Sequence, residues 1–357
     1  MRAVRLYDKH DVRVDKIPEP DEIGYGQVLV GPTFCGICGT DLHEYESGPI
    51  FTPTIPNAYS GAVLPQILGH EFAAKVVAVG EGVESVKAGD RVSIQPQIGP
   101  RYDYFGRRNL SYLGPKASVV GLSWPWGGMA ERAIVNEYNT VRMPDEITDQ
   151  QGALIEPAAV AVHAIDRAGV QPGNSILITG AGPIGALMVL AAQAAGVTKI
   201  FVSEPNPNRR KRLRIISSQA ILLDPTTPGF FDEIRSNTEE GVGVDAAIEC
   251  AGNPRALSAC IQAVRAQGVV VQVGLMGVKV EIDPFDLTMR DITLRGSLNY
   301  PLTIWPRIFE MMRTGLFPAE KIVDDEISLE DVVERGFKKL LDPTGGKLKI
   351  LVSAKSF

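Results

Sequence analysis

Hydrophobic positions divide the chain into two textures. Up to about residue 155 they come in short runs bounded by glycine and proline, such as Gln27-Val28-Leu29-Val30 and the stretch from Phe72 to Val79. Turn signals such as Ala88-Gly89-Asp90 separate these runs, and the pattern predicts a β-rich unit. From about residue 172 the texture changes. Residues 175–179 read as a buried strand, followed by a glycine-rich turn and a helix over 183–195 that Gly196 ends. Apolar runs at 199–203, 220–223, 244–248 and 269–273 continue the series, with helical stretches between them. Strands alternating with helices predict a parallel sheet covered on both faces. Beyond residue 300 the pattern predicts one more helix, over 302–314, and a closing strand over 348–352. There is no internal repeat and no low-complexity tract.

The chain has 357 residues, more than one ordinary core organises, so two domains are expected. With 45% apolar and 22% charged residues it has the profile of a soluble globular protein. A net charge of -6 excludes a dedicated nucleic-acid surface, which needs concentrated basic charge. The one dense basic run, Arg209-Arg210-Lys211-Arg212 with Arg214, reads as the solvated face of a helix. Asp8 and Lys9 interrupt the N-terminal segment before an apolar signal region forms, and no run is long enough for a membrane span. The four cysteines (Cys35, Cys38, Cys250 and Cys260) are too few for a disulfide framework, so a reduced, cytoplasmic setting is expected. Cys250 and Cys260 read as small buried hydrophobes.

Chemistry enters first at Gly180-Ala181-Gly182-Pro183-Ile184-Gly185. A G-x-G-x-x-G is weak alone, but this one follows a predicted strand and opens a predicted helix, as a dinucleotide site requires. Gly180 permits the tight turn, Gly182 lets backbone approach a pyrophosphate, and Gly185 lets helix and strand pack closely. Pro183 and Ile184 open the helix, whose unpaired N–H groups face the phosphates. Glu204 follows Gly185 by nineteen residues. An acid there accepts hydrogen bonds from ribose hydroxyls and repels a 2′-phosphate, which favours NAD(H) over NADP(H). Arg209 and Arg210 nearby leave NADP(H) open.

The second chemical signal is Cys35-Gly36-Ile37-Cys38-Gly39-Thr40-Asp41-Leu42-His43. A closed zinc knuckle would need a second Cys or His pair at similar spacing, and none exists. The alternative is an open catalytic site with ligands from separate segments. Gly69-His70-Glu71 offers an imidazole and a carboxylate. Glu156 in Ile155-Glu156-Pro157 is an acid within an apolar run, and a buried carboxylate must be paired or bind a cation.

These residues, together with Gly89-Asp90-Arg91-Val92 and the glycine motif, resemble the zinc-dependent medium-chain dehydrogenase/reductase superfamily. The likeness is greatest to its sorbitol and (R,R)-butanediol dehydrogenase branch and runs through nearly the whole chain. Asp41-Leu42-His43-Glu44-Tyr45 followed by Gly48-Pro49-Ile50-Phe51 is similar to the butanediol type. The resemblance implies an α/β fold: a GroES-like β-rich catalytic domain over 1–156 and 300–357, and a Rossmann doubly wound parallel-sheet domain over 157–299. It implies a catalytic zinc on Cys38 and His70, with Glu156 in place of a cysteine. Glu71 is then a ligand or a movable neighbouring carboxylate, and Cys35 is packing. It implies hydride transfer between a secondary alcohol, a diol or polyol, and NAD(H), with Thr40 and His43 relaying the proton. Val273 and Asn299 fall where the family contacts the nicotinamide end, and Lys349 where a basic residue can approach the pyrophosphate.

One departure stands out. The family usually carries a structural zinc in a four-cysteine lobe, and residues 95–128 hold no cysteine. A single catalytic zinc is therefore expected, with aromatic and proline packing holding the lobe. A homo-oligomer, dimer or tetramer, is expected as well. The competing enzyme reading is a ketone or aldehyde reductase with a larger apolar pocket, lined by residues 60–64, Trp124 and Trp126, and possible use of NADPH. A zinc-free binding or regulatory protein on the same fold is the reading from another class. The joint presence of Cys38, His70 and Glu156 argues against it.

Overall fold

The computed structural model describes residues 1–354. Strand Gln27–Gly36 is the spine of the β-rich unit. It pairs antiparallel with Glu71–Val79, with Ala133–Asn136 and, at its far end, with Lys349–Ser353. The sheet path runs Thr140–Arg142, Arg91–Ile94, Glu71–Val79, Gln27–Gly36, Lys349–Ser353, Val323–Ser328. A hairpin of Arg2–Asp8 and Asp11–Lys16 packs beside it with Gln66–Ile67. The register sets Glu71 opposite Gly36 and Leu351 opposite Gly36, so residues from three distant parts of the sequence meet at one end of the sheet.

The second sheet is wholly parallel. Its order is Ile221–Leu223, Lys199–Ser203, Ser175–Thr179, Val244–Glu249, Val264–Gln272, Thr293–Gly296. Chain direction across the sheet reverses beside Ser175–Thr179, which creates a crevice at the carboxyl ends of the strands. The helix Pro183–Ala194 follows with Pro183 in its first turn, and Gly196 just beyond it has φ +82.

Helix Asp149–Ala168 ties the two sheets together. Thr148 caps it, accepting from the Gln151 N–H, and Gly169 closes it in the left-handed conformation. Ala153, Leu154, Ala158, Ala161 and Val162 are fully buried in a core shared with Ala73 and Met143 on one side and Ile176, Ile178 and Leu187 on the other. The boundary expected at residue 157 falls inside this helix, where Pro157 interrupts the ladder without ending it.

Several elements differ from the expected pattern. The helix read over 302–314 is Trp305–Arg313, because Pro306 is suited only to a first turn. Beyond it the chain adds more than a closing strand: Val323–Ser328 pairs parallel with Lys349–Ser353, and helical turns cover Val332–Phe337 and Lys338–Leu341. The basic helix Pro207–Ile216 is less solvated than expected. Arg212 pairs with Asp324 at 2.6 Å and Arg210 with Asp224 at 3.1 Å.

The cysteine-free lobe is fastened by backbone pairing and polar side chains. Gln97–Ile98 pairs with Ser118–Val119. Asn139 Nδ2 donates to the Gln95 and Gln97 carbonyls, at 2.6 and 3.0 Å. Arg108 stacks over Tyr104, and Arg101 over Tyr138. Trp124 donates its indole N–H to the Ile134 carbonyl at 2.8 Å, and both Trp124 and Trp126 pack against the β-rich core. Both rings are partly buried and partly open to solvent. Among the described residues no helix is long and apolar enough to cross a membrane.

Candidate metal centre and dinucleotide cleft

The residues that could hold a metal come from two turns. Cys38 is the residue before helix Gly39–Ser47, and its N–H donates to Asp41 Oδ2 at 2.9 Å, which fixes the helix start. Glu71 opens strand Glu71–Val79, and His70 immediately precedes it. Ligand atoms of Cys38, His70 and Glu71 all lie within 4.8 Å of one another, and His70 and Glu71 are buried. Cys35 is outside this group. It is fully buried in strand Gln27–Gly36, and burial pushes its thiol well up, so it packs rather than ligates. All four cysteines are free thiols.

Around these three residues stands a ring of buried charge. Asp41 Oδ1 faces His70 Nδ1 at 3.6 Å, an ion-pair distance rather than a hydrogen bond, and neither buried atom has a hydrogen-bond partner. Burial opposes charge on His70, but Asp41 and Cys38 outweigh it and hold the imidazole well above the usual histidine range. Glu156, on helix Asp149–Ala168, accepts from the Tyr300 hydroxyl at 2.6 Å. Burial, with the Glu71 charge adding to it and His70 opposing, pushes the Glu156 carboxyl up to about 7. Tyr300 is itself set by an edge-to-face contact with Trp305 at 5.0 Å, and Trp305 donates to Ser93 Oγ at 3.0 Å. Glu156 is beside the three-residue group and not within it.

The set fits a zinc ion. It offers a thiol, an imidazole and a carboxylate, the donor types zinc takes. Glu71 Oε1 is buried with no hydrogen-bond partner, an atom a cation would satisfy.

The Lys349 side chain is not at the pyrophosphate. Its ammonium is buried, donating to Glu71 Oε2 at 2.6 Å and to the Ile37 carbonyl at 2.9 Å. Burial opposes the charge, and Glu71 outweighs it and keeps the ammonium protonated. The reason for the displacement is the strand pairing, which brings Lys349–Ser353 against the Gly36 end of Gln27–Gly36.

Thr40 and His43 share one face of helix Gly39–Ser47. Thr40 Oγ1 is 3.7 Å from Cys38 Sγ, and His43 is exposed at the surface. His10 stacks edge-on against Tyr45, and His163 is half-buried on the long helix. Neither touches the metal group.

A cleft of about 770 Å³ opens at the switch point of the parallel sheet. Gly180, Gly182, Glu204 and Arg209 line it, with Thr226, Phe230 and Cys250. Gly180 has φ +92, and a Cβ on Gly185 would lie 2.0 Å from the Gly180 carbonyl oxygen. Only glycine fits at positions 180 and 185 of this turn. Ile184 packs behind it against the core. Glu204 Oε2 accepts from the Ala181 N–H at 2.8 Å, which ties the acid to the glycine loop. Val273 continues strand Val264–Gln272 and is partly buried against the core, and Asn299, with φ +50, precedes Tyr300. Neither is among the residues lining the cleft.

Asp41, Tyr300 and the Lys349–Glu71 pair were not assigned these places from sequence. An acid three residues after Cys38 at a helix start was a signal for Asp41. Nothing local marks the other two, whose partners lie 144 and 278 residues away.

Comparison with known proteins agrees with this geometry. Residues 24–145 match the alcohol dehydrogenase GroES-like domain, and residues 183–314 match the zinc-binding dehydrogenase family. The chain is 38% identical to the (R,R)-butanediol dehydrogenase of Bacillus subtilis over 99% of both chains. It is 30% identical to a sorbitol dehydrogenase of the same organism, over 95% of this chain and 94% of the relative. The crystal structure of 2R,3R-butanediol dehydrogenase from Bacillus subtilis superposes with a TM-score of 0.92 at 36% identity, covering 99% of each chain. The chain therefore belongs to the zinc-dependent medium-chain dehydrogenase/reductase family of oxidoreductases, with its GroES-like and Rossmann-type units.

Proposed function

We propose that this protein oxidises a secondary alcohol, a diol or polyol of the butanediol or sorbitol kind, with NAD as acceptor, and reduces the matching ketone in reverse. One observation carries the reading: a Cys38–His70–Glu71 group with an unpartnered buried carboxylate oxygen in the same molecule as a glycine-lined dinucleotide cleft. The names of the similar proteins support the substrate class. Zinc at this site supplies Lewis acidity toward the alcohol oxygen, and the nicotinamide supplies the hydride acceptor. Cys38, His70 and Glu71 would hold the ion. Asp41 places a buried negative charge beside His70, and Tyr300 holds Glu156 at the edge of the site as a neighbouring carboxylate. The Thr40 hydroxyl takes the proton the alcohol loses, and His43 hands it to solvent. We assign Gly180, Gly182, Pro183, Ile184 and Gly185 to the pyrophosphate and Glu204 to the ribose. Val273 and Asn299 are candidates for the nicotinamide end.

The chain carries one zinc in this reading, since residues 95–128 offer no thiolate for a second. The acid at Glu204 favours NAD. Arg209 in the same cleft is the observation that favours the second reading, a reductase using NADPH. A panel of alcohols, diols and polyols, followed by reduced-cofactor absorbance with NAD and with NADP, separates the two. Highest kcat/KM for a vicinal diol or polyol with NAD is expected. Activity confined to bulky apolar ketones with NADPH would refute the leading assignment. For His43→Ala, alcohol oxidation is expected to slow by about tenfold or more near neutral pH and to recover partly as pH rises, because bulk base replaces the relay. An unchanged pH–rate profile would remove His43 from the mechanism.

Two features support further parts of the reading. The free thiols fit a reducing, cytoplasmic setting. The edge strand Thr293–Gly296 is exposed at all four residues, and Phe285, Met289 and Leu298 near it are exposed too. A second copy adding edge to edge would cover them, and light scattering would then give a multiple of 38.5 kDa.

A further inference from the structure

Lys349 is a fully buried cation beside a metal group, where zinc sites ordinarily gather negative charge. Its Nζ donates to Glu71 Oε2 at 2.6 Å and to the Ile37 carbonyl at 2.9 Å. The other Glu71 oxygen, Oε1, is buried and unpartnered. The carboxylate is thus divided, one oxygen taken by the ammonium and one left without a hydrogen-bond partner, in a residue grouped with Cys38 and His70. The pocket for Oε2 is shaped to the atom, because a Cβ on Gly36 would lie 2.2 Å from it. Three acids, Asp41, Glu71 and Glu156, are buried around His70, and among the described residues Lys349 is the ammonium placed against them.

We propose that Lys349 is a resident counter-cation that competes with zinc for the charge of Glu71, so that the site stays folded without metal and binds zinc more weakly than its donors alone would. The inference rests on zinc being held at Cys38, His70 and Glu71. Two effects oppose each other when the ammonium is removed. The tether on Glu71 loosens, which costs the metal some preorganisation. The repulsion between two cations separated by one carboxylate disappears, and Glu71 becomes an uncompensated buried charge that only the metal can satisfy. The second effect is larger, because unit charges in a buried site are weakly screened and interact more strongly than the freedom of one side-chain rotor is worth.

Lys349→Met keeps the length of the side chain and removes its charge, and Lys349→Arg keeps the charge. Zinc affinity is read by competition with a chelating dye on purified full-length protein, and thermal unfolding is followed with and without zinc. For Lys349→Met, zinc is expected to bind about tenfold or more tightly and the metal-free protein to melt lower, so the gap between the two melting points widens. Lys349→Arg should stay near the original on both readouts. Unchanged or weaker zinc binding in Lys349→Met would overturn the proposal, as would failure of that variant to fold even with zinc supplied, since the metal would then not have taken over the charge. A merely structural lysine would lower both melting points alike. If the unaltered protein bound no zinc, the metal assignment itself would fall, a result distinct from any of these.

Discussion

Cys38→Ala is expected to abolish zinc binding and alcohol oxidation together. Cys38 gives the only sulfur in the three-residue group, at the head of a helix whose start is fixed by the Asp41 bond. Losing an outer partner of a metal ligand costs about 10–100-fold in metal affinity or activity. Losing the thiolate itself should cost more than that, leaving kcat/KM lower by upwards of about 100-fold. The adjacent Cys35→Ala is the control. That thiol is buried among apolar side chains, and its loss should cost about 1 kcal/mol of stability with zinc retained. Metal analysis by mass spectrometry of both variants reads the result. One zinc per chain in Cys38→Ala, or none in Cys35→Ala, would mean that the C-x-x-C works in another way.

Gly185→Ala should separate cofactor binding from metal binding. The added Cβ would stand 2.0 Å from the Gly180 carbonyl oxygen, which is backbone and cannot step aside as a side-chain tip would. Either the helix Pro183–Ala194 moves off the sheet or the glycine loop opens. Both displace the N–H groups that would face the pyrophosphate. NADH affinity, followed by fluorescence titration, is expected to fall about tenfold or more, with a lower melting point and unchanged zinc content. Retained NADH affinity would place the dinucleotide elsewhere than in the cleft lined by Gly180, Gly182 and Glu204.

What was legible in the sequence follows from how local each constraint is. The glycine loop is local: Gly180 and Gly185 lie within one turn, and the geometry that excludes other residues there is set by atoms five residues apart. The parallel strands were legible for a similar reason, since a strand buried on both faces reads as a continuous apolar run. Strand Thr293–Gly296 was missed because it is exposed throughout and carries no such run. Val323–Ser328, with its three acids, was missed for lack of the same signal. The metal group was partly legible, because His70-Glu71 is a contiguous pair and Cys38 sits in a helix-start context. Its surroundings were not. Tyr300 reaches Glu156 and Lys349 reaches Glu71 only through the sheet register and the long shared helix. A lysine in an apolar closing strand gives no local sign of which acid it meets, so its placement at a phosphate was a reasonable expectation that the strand pairing overturned.

The lobe between residues 95 and 128 holds no cysteine and is fastened by polar and aromatic side chains. Asn139 bonds two lobe carbonyls, Trp124 bonds the Ile134 carbonyl, and Arg101 and Arg108 stack over Tyr138 and Tyr104. The central claim, a zinc dehydrogenase with one ion per chain on one sulfur, can be read directly. X-ray absorption at the zinc edge, on protein of known metal content, should give one zinc per chain with a single sulfur near 2.3 Å and the remaining ligands nitrogen or oxygen at about 2.0–2.2 Å. A shell with two or more sulfurs, or protein that is active with no zinc, would contradict it.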